Sequence, residues 1–333
     1  MKTIPCCFFP TTVLMVDDNK EYLSNLQLLL NSKLLTRIET NPNDALPIVN
    51  NYHLSYSIVE ACIEKFNSYE LDNDLPLSKI NLENLINISL NKNRFSYISV
   101  LVVDYSMPQM TGIDLCNKLK DIPISKIMVT GEADLDIAVD AFNKGIINKF
   151  IVKGSPNFKE ILQSAIQQFQ KELFQNISYQ IISKIKENLW HNKAFIKFFS
   201  ETKEKLNATE YYMIDSKGSF LFLDENGKAT ILAVKSATEI NNYYNIALDN
   251  GSPNNITSSL KNLTHFPLLL EEKHIKCTTN EWGNLLHEAQ LIPGLNDTYY
   301  AIINCEQNNN YFLNYQWHGI NNYNATNQYR VCI

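Results

Sequence analysis

Five polar residues stand where apolar runs end. Asp17 and Asp18 close Val13-Leu-Met-Val16, Asp104 closes Val100-Leu-Val-Val103, Thr130 closes Ile127-Met-Val129, and Lys153 closes Phe150-Ile-Val152. If these runs are strands of an open parallel sheet, their carboxyl ends share the rim where such sheets place their functional crevice. Three carboxylates on one rim repel each other unless a cation lies among them. A hard Mg²⁺ held by one or two carboxylates, a backbone carbonyl and waters meets that need, and it can also bind a phosphoryl oxygen. With its charge partly neutralised, Asp104 can act as a nucleophile toward a phosphoryl donor. Lys153 adds a second positive charge, and Thr130 offers a hydroxyl to the transferred group. Asp104 alone would read as a helix cap, and Asp17 would suit the same role for the helix that follows it. The five together carry the chemistry.

The elements that must position them are legible from periodicity. Continuous Val and Ile runs at 13–16, 99–103, 126–129 and 149–152 mark strands buried on both faces. Apolar spacing of three and four predicts helices at 19–30, 112–119 and 135–143, and the alternation gives an α/β unit with a parallel sheet. One interval is too long. Asp18 and Asp104 lie 86 positions apart, whereas two crossovers of roughly thirty residues each need about sixty. The surplus falls between Pro42 and Arg94, as an enlarged second crossover over about 42–96 with extra helical segments at 57–66 and 77–90.

From 158 to 199 there is neither glycine nor proline. Leu162, Ile166, Phe169, Leu173, Ile177, Ile181, Ile185 and Leu189 form one stripe, the mark of one long amphipathic helix or two in sequence. Its repeated steps of four depart from a strict heptad. The last third reads as strands at 210–215, 219–224 and 230–235, turning at Lys217-Gly218 and Asn226-Gly227. Helices at 237–248 and 281–289 follow, then strands at 299–304 and 311–317, an α+β domain with an antiparallel, PAS-like sheet. The domain boundaries expected are 1–156, 157–205 for a helical linker, and 206–333.

The set Asp17-Asp18, Asp104 with Met107-Pro-Gln-Met-Thr-Gly112, Thr130-Gly131 and Phe150-Ile-Val-Lys153 resembles the receiver domain of bacterial two-component response regulators, over residues 11–156. The resemblance implies a flavodoxin-like, doubly wound fold and Mg²⁺-dependent phosphotransfer from a histidine kinase or phosphotransfer protein onto Asp104. It also implies that Asp17, Asp18, Asp104 and the backbone carbonyl of Ser106 hold the metal, and that Thr130 couples to an aromatic switch, Phe150. Two features depart from the family pattern: Lys153-Gly154 stands where Lys-Pro is usual, and the second crossover is enlarged. The whole-chain layout, with an output opening Tyr211-Tyr-Met-Ile-Asp-Ser-Lys-Gly-Ser-Phe-Leu-Phe-Leu-Asp224, also resembles the response regulators of Legionella-type α-hydroxyketone quorum-sensing systems.

Composition narrows the output. The chain has 333 residues, a formal net charge of -6, and only three arginines, Arg37, Arg94 and Arg330. Residues 206–333 hold seven Lys and Arg against twelve Asp and Glu, a balance that works against nucleic acid, whose affinity is dominated by phosphate contacts. No apolar run reaches the length of a membrane span. The start, broken by Pro10 and the acidic pair, does not suit a secretion signal. Seven scattered cysteines read as reduced thiols of a cytoplasmic protein. Adjacent Cys6 and Cys7 are expected as partly buried thiols, with acylation or redox activity as the alternatives. His191 lacks the surroundings of a phosphoaccepting histidine, and no glycine-rich phosphate loop occurs, so no separate catalytic output is expected.

The expectation is therefore a cytoplasmic response regulator that forms a homodimer on phosphorylation and acts through an unidentified protein partner. A phosphoryl sink or interaction scaffold, and a ligand-sensing PAS-like regulator, are the alternative readings.

Overall fold

Unbroken apolar strands need cover on both faces, and the first sheet of the chain has it. The computed structural model describes residues 3–30, 34–53, 62–65, 78–80, 82–131, 134–183, 189–270, 277–306 and 315–327. After a two-residue strand β1 (Cys7–Phe8), the chain forms β2 (Thr12–Val16) and β3 (Leu35–Glu39). A short pair, β4 (Ile63–Lys65) and β5 (Ser78–Ile80), precedes β6 (Ile98–Asp104), β7 (Ser125–Thr130) and β8 (Lys149–Val152). The parallel sheet has the order β3-β2-β6-β7-β8. Alternate residues along each strand face opposite layers. Leu14, Val16, Leu101, Val103 and Met128 pack with Ala45, Ile48 and Val49 of helix α2 (Pro42–Tyr52) in one buried cluster. Val13, Met15, Val100, Val102, Ile127 and Val129 pack with Leu23 and Leu26 of α1 (Lys20–Leu29) in the other. The order reverses between β2 and β6, so the ends of these two strands flank the crevice where open α/β sheets bind ligands.

The extra residues of the crossover end in a helix, α3 (Glu83–Leu90). Helices α4 (Gly112–Lys118) and α5 (Leu135–Asn143) join the following strands. The glycine-free stretch forms two helices, α6 (Phe158–Ile182) and α7 (Lys193–Lys205), with a 3₁₀ turn at Leu189–His191 before the second. Leu162, Ala165, Ile166 and Phe169 of α6 complete the second cluster of the parallel sheet. His191 is hydrogen-bonded to Thr3.

The second sheet is antiparallel. Strands β9 (Ala208–Met213), β10 (Phe220–Asp224) and β11 (Ala229–Ser236) form a meander. Both turns follow the sequence signal: Gly218 and Gly227 have φ of +108° and +86°, a region glycine enters without steric cost. Asp215 and Asp224 each accept two backbone N–H bonds across their turn. Helices α8 (Ala237–Asp249) and α9 (Asn254–Lys261) follow, then a small pair of β12 (His265–Pro267) with β13 (Leu286–Glu288), then β14 (Gln290–Leu291) and β15 (Thr298–Asn304). The six-stranded order is β1-β9-β10-β11-β15-β14. Its main core is aromatic: the Phe199 ring of α7 lies 5.0 Å from Tyr211, 4.8 Å from Phe220 and 5.2 Å from Phe222.

The chain divides into two compact units, one of Phe9–Glu60 and Asn93–Ile177, the other of Met1–Phe8, Ala61–Lys92 and Ser178–Ile333. This division is not the contiguous one drawn from the sequence. β1 pairs with β9, Cys7 opposite Tyr212, and α3 packs against β9. Trp317, ahead of a terminal helix α10 (Ile320–Asn327), donates its indole N–H to Ser89 of α3 at 2.8 Å. The surplus crossover thus helps to build the antiparallel unit.

Three local expectations are corrected. The described part of 57–66 includes strand β4, paired antiparallel with β5 with Ile63 opposite Ile80, because a strand partner overrides a short helical pattern; residues 54–61 and 66–77 lie outside the described residues. The helix expected at 281–289 is a 3₁₀ segment (Thr279–Leu285) followed by β13, whose backbone pairs with β12. In the strand expected at 311–317, residues 311–314 lie outside the described residues and 315–317 are irregular. Cys6 and Cys7 are fully buried, and Cys6 Sγ donates to Ser178 Oγ at 3.2 Å, so in this fold neither is exposed for acylation. No helix of the described residues is long and apolar enough to cross a membrane.

Phe199→Ala is expected to destabilise the antiparallel unit by about 3–5 kcal/mol. Urea unfolding of the two proteins measures the difference.

Candidate functional site

Asp104 is the last residue of β6, and all seven residues of that strand are buried. The carboxylate therefore emerges from an apolar strand directly into the crevice. Its Oδ2 accepts the backbone N–H of Ser106 at 3.1 Å, and its Oδ1 lies 2.8 Å from Lys153 Nζ. Lys153 follows β8, its backbone N–H bonded to the Thr130 carbonyl at 2.7 Å. The same ammonium lies 2.8 Å from Asp17 Oδ2. Asp17, on the adjacent strand β2, also accepts the N–H of Asn19 at 2.9 Å. Asn19 in turn caps α1 through Tyr22 N–H. Asp17 is thus both part of the crevice and a support for the turn into the helix.

Asp17, Asp18 and Asp104 each place a carboxylate oxygen within 4.8 Å of the others. Asp17 and Asp104 are buried and Asp18 is exposed. Clustered oxygen donors with one open side are the donor set of a hard divalent cation such as Mg²⁺, which keeps several waters. Burial raises the pKa of Asp104 against the lowering effect of Lys153. For Lys153, burial works to lower the pKa, but its bonds to Asp104 and Asp17 outweigh it and hold the ammonium charged. The apolar walls that penalise the carboxylate are the reason the lysine is needed.

The loop after Asp104 is shaped by glycine and methionine. A Cβ built on Gly112 would lie 2.2 Å from the Asp104 carbonyl oxygen, and the Gly112 N–H bonds to Tyr105 O at 2.9 Å. No side chain fits at that approach. Met107 and Met110 are buried in the cluster beneath the loop. A capping box between Thr111 and Asp114 starts α4.

Thr130 is fully buried at the end of β7, whose Val129 stands opposite Asp104. Its hydroxyl donates to Gly131 O at 3.3 Å. Phe150 on β8 is half-buried and stacks edge-on against Phe142 of α5, the ring centroids 6.1 Å apart. Gly154 has φ of +77°, a conformation closed to proline, so the loop after Lys153 takes a path that the family's usual residue could not.

One residue of this site escaped the sequence reading. Tyr22 falls within the helix expected at 19–30 with no role assigned to it, yet Lys153 Nζ sits 4.4 Å from its ring centroid. The available signal was positional. Tyr22 is one turn into the helix that follows the acidic pair, and long helical side chains lean toward the N-terminus, which here is the crevice.

The chain is similar to known proteins in sequence and in fold. The model of the response regulator receiver domain family matches residues 81–166. The chain is 38% identical over 73 residues to the chemotaxis protein CheY of Pseudomonas aeruginosa, a match covering 20% of this chain and 55% of that protein. It thus spans about half the length of this curated relative. The solved structure of the Legionella pneumophila response regulator LqsR is similar along almost the whole chain. It has a TM-score of 0.69 at 30% identity, covering 91% of this chain and 90% of that one.

Gly112→Ala would displace the Asp104 carbonyl and the loop that follows it. Because changes in groups supporting a metal ligand typically cost about 10–100-fold in affinity, binding of Mn²⁺, a spectroscopic stand-in for Mg²⁺, should weaken at least ~10-fold. Titration followed by electron paramagnetic resonance measures it.

Proposed function

Because this chain belongs to the response regulators, with their receiver domain and a whole-chain likeness to LqsR, we propose that it is a two-component phosphorelay protein whose phosphoacceptor is Asp104. The observation that carries this reading is Lys153 bridging Asp17 and Asp104 at 2.8 Å each, beside a third carboxylate, at the switch point of a parallel sheet. A histidine kinase or phosphotransfer protein is the proposed donor. The Asp104 carboxylate attacks the phosphorus, an acyl phosphate forms, and the bond to the donor's imidazole breaks with its electron pair returning to the ring.

Mg²⁺ is the proposed cofactor, held by Asp17, Asp18, Asp104 and the carbonyl of Ser106; when bound it neutralises carboxylate charge and the charge on the transferring oxygens. Lys153 keeps a positive charge beside Asp104, and the Ser106 N–H orients the attacking carboxylate. The Thr130 hydroxyl is proposed to leave the Gly131 carbonyl for the new phosphoryl group, with Phe150 shifting against Phe142 in response. Transfer of the signal from there is conformational.

The proposed division of labour places the acceptor chemistry in residues 1–156, helices in 157–205 and a non-enzymatic output in 206–333, with residues 1–8 and 61–92 contributing structure to the output. The excess of acidic over basic residues in the output supports a protein partner over nucleic acid. Homodimerisation on phosphorylation, a cytoplasmic location and a place in a Legionella-type α-hydroxyketone quorum-sensing circuit complete the proposal.

Incubation with acetyl phosphate and Mg²⁺ is expected to add one phosphoryl group per chain, read by intact-protein mass spectrometry, and Asp104→Asn to add none. Persistent labelling of the Asp104→Asn variant would remove Asp104 as acceptor. Beryllofluoride, which mimics the acyl phosphate, is expected to convert monomer to dimer in size-exclusion chromatography with light scattering. An unchanged monomer would favour the phosphoryl sink or interaction scaffold.

A further inference from the structure

We propose that Tyr22 is a positioning residue for Lys153 and, through it, for the acceptor carboxylate; the inference rests on the phosphoacceptor reading of Asp104. Among the described residues three groups meet the Lys153 ammonium: Asp17 and Asp104 at 2.8 Å and the face of Tyr22 at 4.4 Å. A lysine ammonium is a point charge on a flexible four-carbon stem, and two carboxylates alone leave it free to swing about the line between them. The aromatic face closes one side of that arc.

The ring is itself well held. The Tyr22 N–H is bonded to Asn19 Oδ1 at 3.0 Å, and its side chain packs against the cluster of Val13, Met15 and Leu26. The loop beyond the lysine ties its own backbone, with the Ser155 N–H bonded to Val152 O at 3.2 Å, but its Gly154 presents no side chain to the ammonium. It continues through Gly154 at φ +77°, with nothing within 4 Å of where a Cβ would stand, so neither a side chain nor a proline ring stiffens it.

Phosphorylation sharpens the need. A phosphoryl group on Asp104 asks Lys153 to give up its bridge to Asp17 and turn to the new oxygens. The Tyr22 ring is the one of these three groups that neither metal binding nor phosphorylation consumes, so it keeps the charge beside Asp104 through the exchange.

Two measurements test this. In the metal-free protein, ring current is expected to shift the Lys153 ε-methylene protons upfield in NMR spectra; Tyr22→Leu should lose the shift and Tyr22→Phe keep it. With acetyl phosphate and Mg²⁺, Tyr22→Leu should be labelled about three- to fivefold more slowly, as expected for one cation–π contact, and Tyr22→Phe should recover the rate. The double variant Tyr22→Leu/Lys153→Met should be no slower than Lys153→Met alone, because residues acting through one contact are not additive. Unaltered labelling and ring-current shift in Tyr22→Leu, or additive losses in the double variant, would overturn the role of Tyr22. Failure of the unsubstituted protein to accept any phosphoryl group would instead overturn the phosphoacceptor reading, and this proposal with it.

Discussion

Three carboxylates drawn together at the end of apolar strands would drive each other apart, and the ammonium of Lys153 is what the arrangement turns on. It lies equally close to Asp17 and Asp104, whose side chains are only 4% and 9% exposed. In so dry a place water screens little, and an opposite charge in contact becomes the main compensation. The buried strands serve this contact. β2 and β6 must be neighbours for Asp17 to face Asp104, and β8 must run parallel at the far side of β7 for Lys153 to reach across. The register of the sheet, Val16 opposite Val103 and Val129 opposite both Asp104 and Ile151, meets all of these conditions at once.

The same economy governs the loop after Asp104. Gly112 lets the backbone pass against the Asp104 carbonyl where any larger residue would collide, and Met107 and Met110 fasten the loop from below. Thr130 and Phe150 stand on the next two strands of the same sheet. The half-buried Phe150 ring packs edge-on against Phe142 of α5, which is itself 47% exposed.

The antiparallel unit shows why an enlarged crossover can be something other than a long loop. Long connections without structure are uncommon inside compact domains, and here the added residues supply α3, packed against β9 and bonded to Trp317 through Ser89. β1 adds an edge strand from the other end of the chain. One core is therefore assembled from three separate stretches of sequence, two of which are too short to bury themselves alone.

What the sequence by itself determined was whatever depends on near neighbours along the chain. The strands at 13–16, 126–129 and 149–152, the helices beginning near Asn19 and Gly112, and both glycine turns of the meander follow from periodicity, caps and φ preference. Asp17, Asp18, Asp104, Thr130 and Lys153 were visible because polar residues terminating apolar runs of a parallel sheet share one rim whatever the details. Tertiary structure alone decided the rest. Tyr22 joined the crevice because a side chain one turn into a helix reaches a lysine 131 positions away, a distance that no local pattern encodes. Residues 286–288 became strand and residues 61–92 joined the antiparallel unit for the same reason: a backbone N–H and an apolar face take the partners that folding brings to them, and those partners lie far off in the chain.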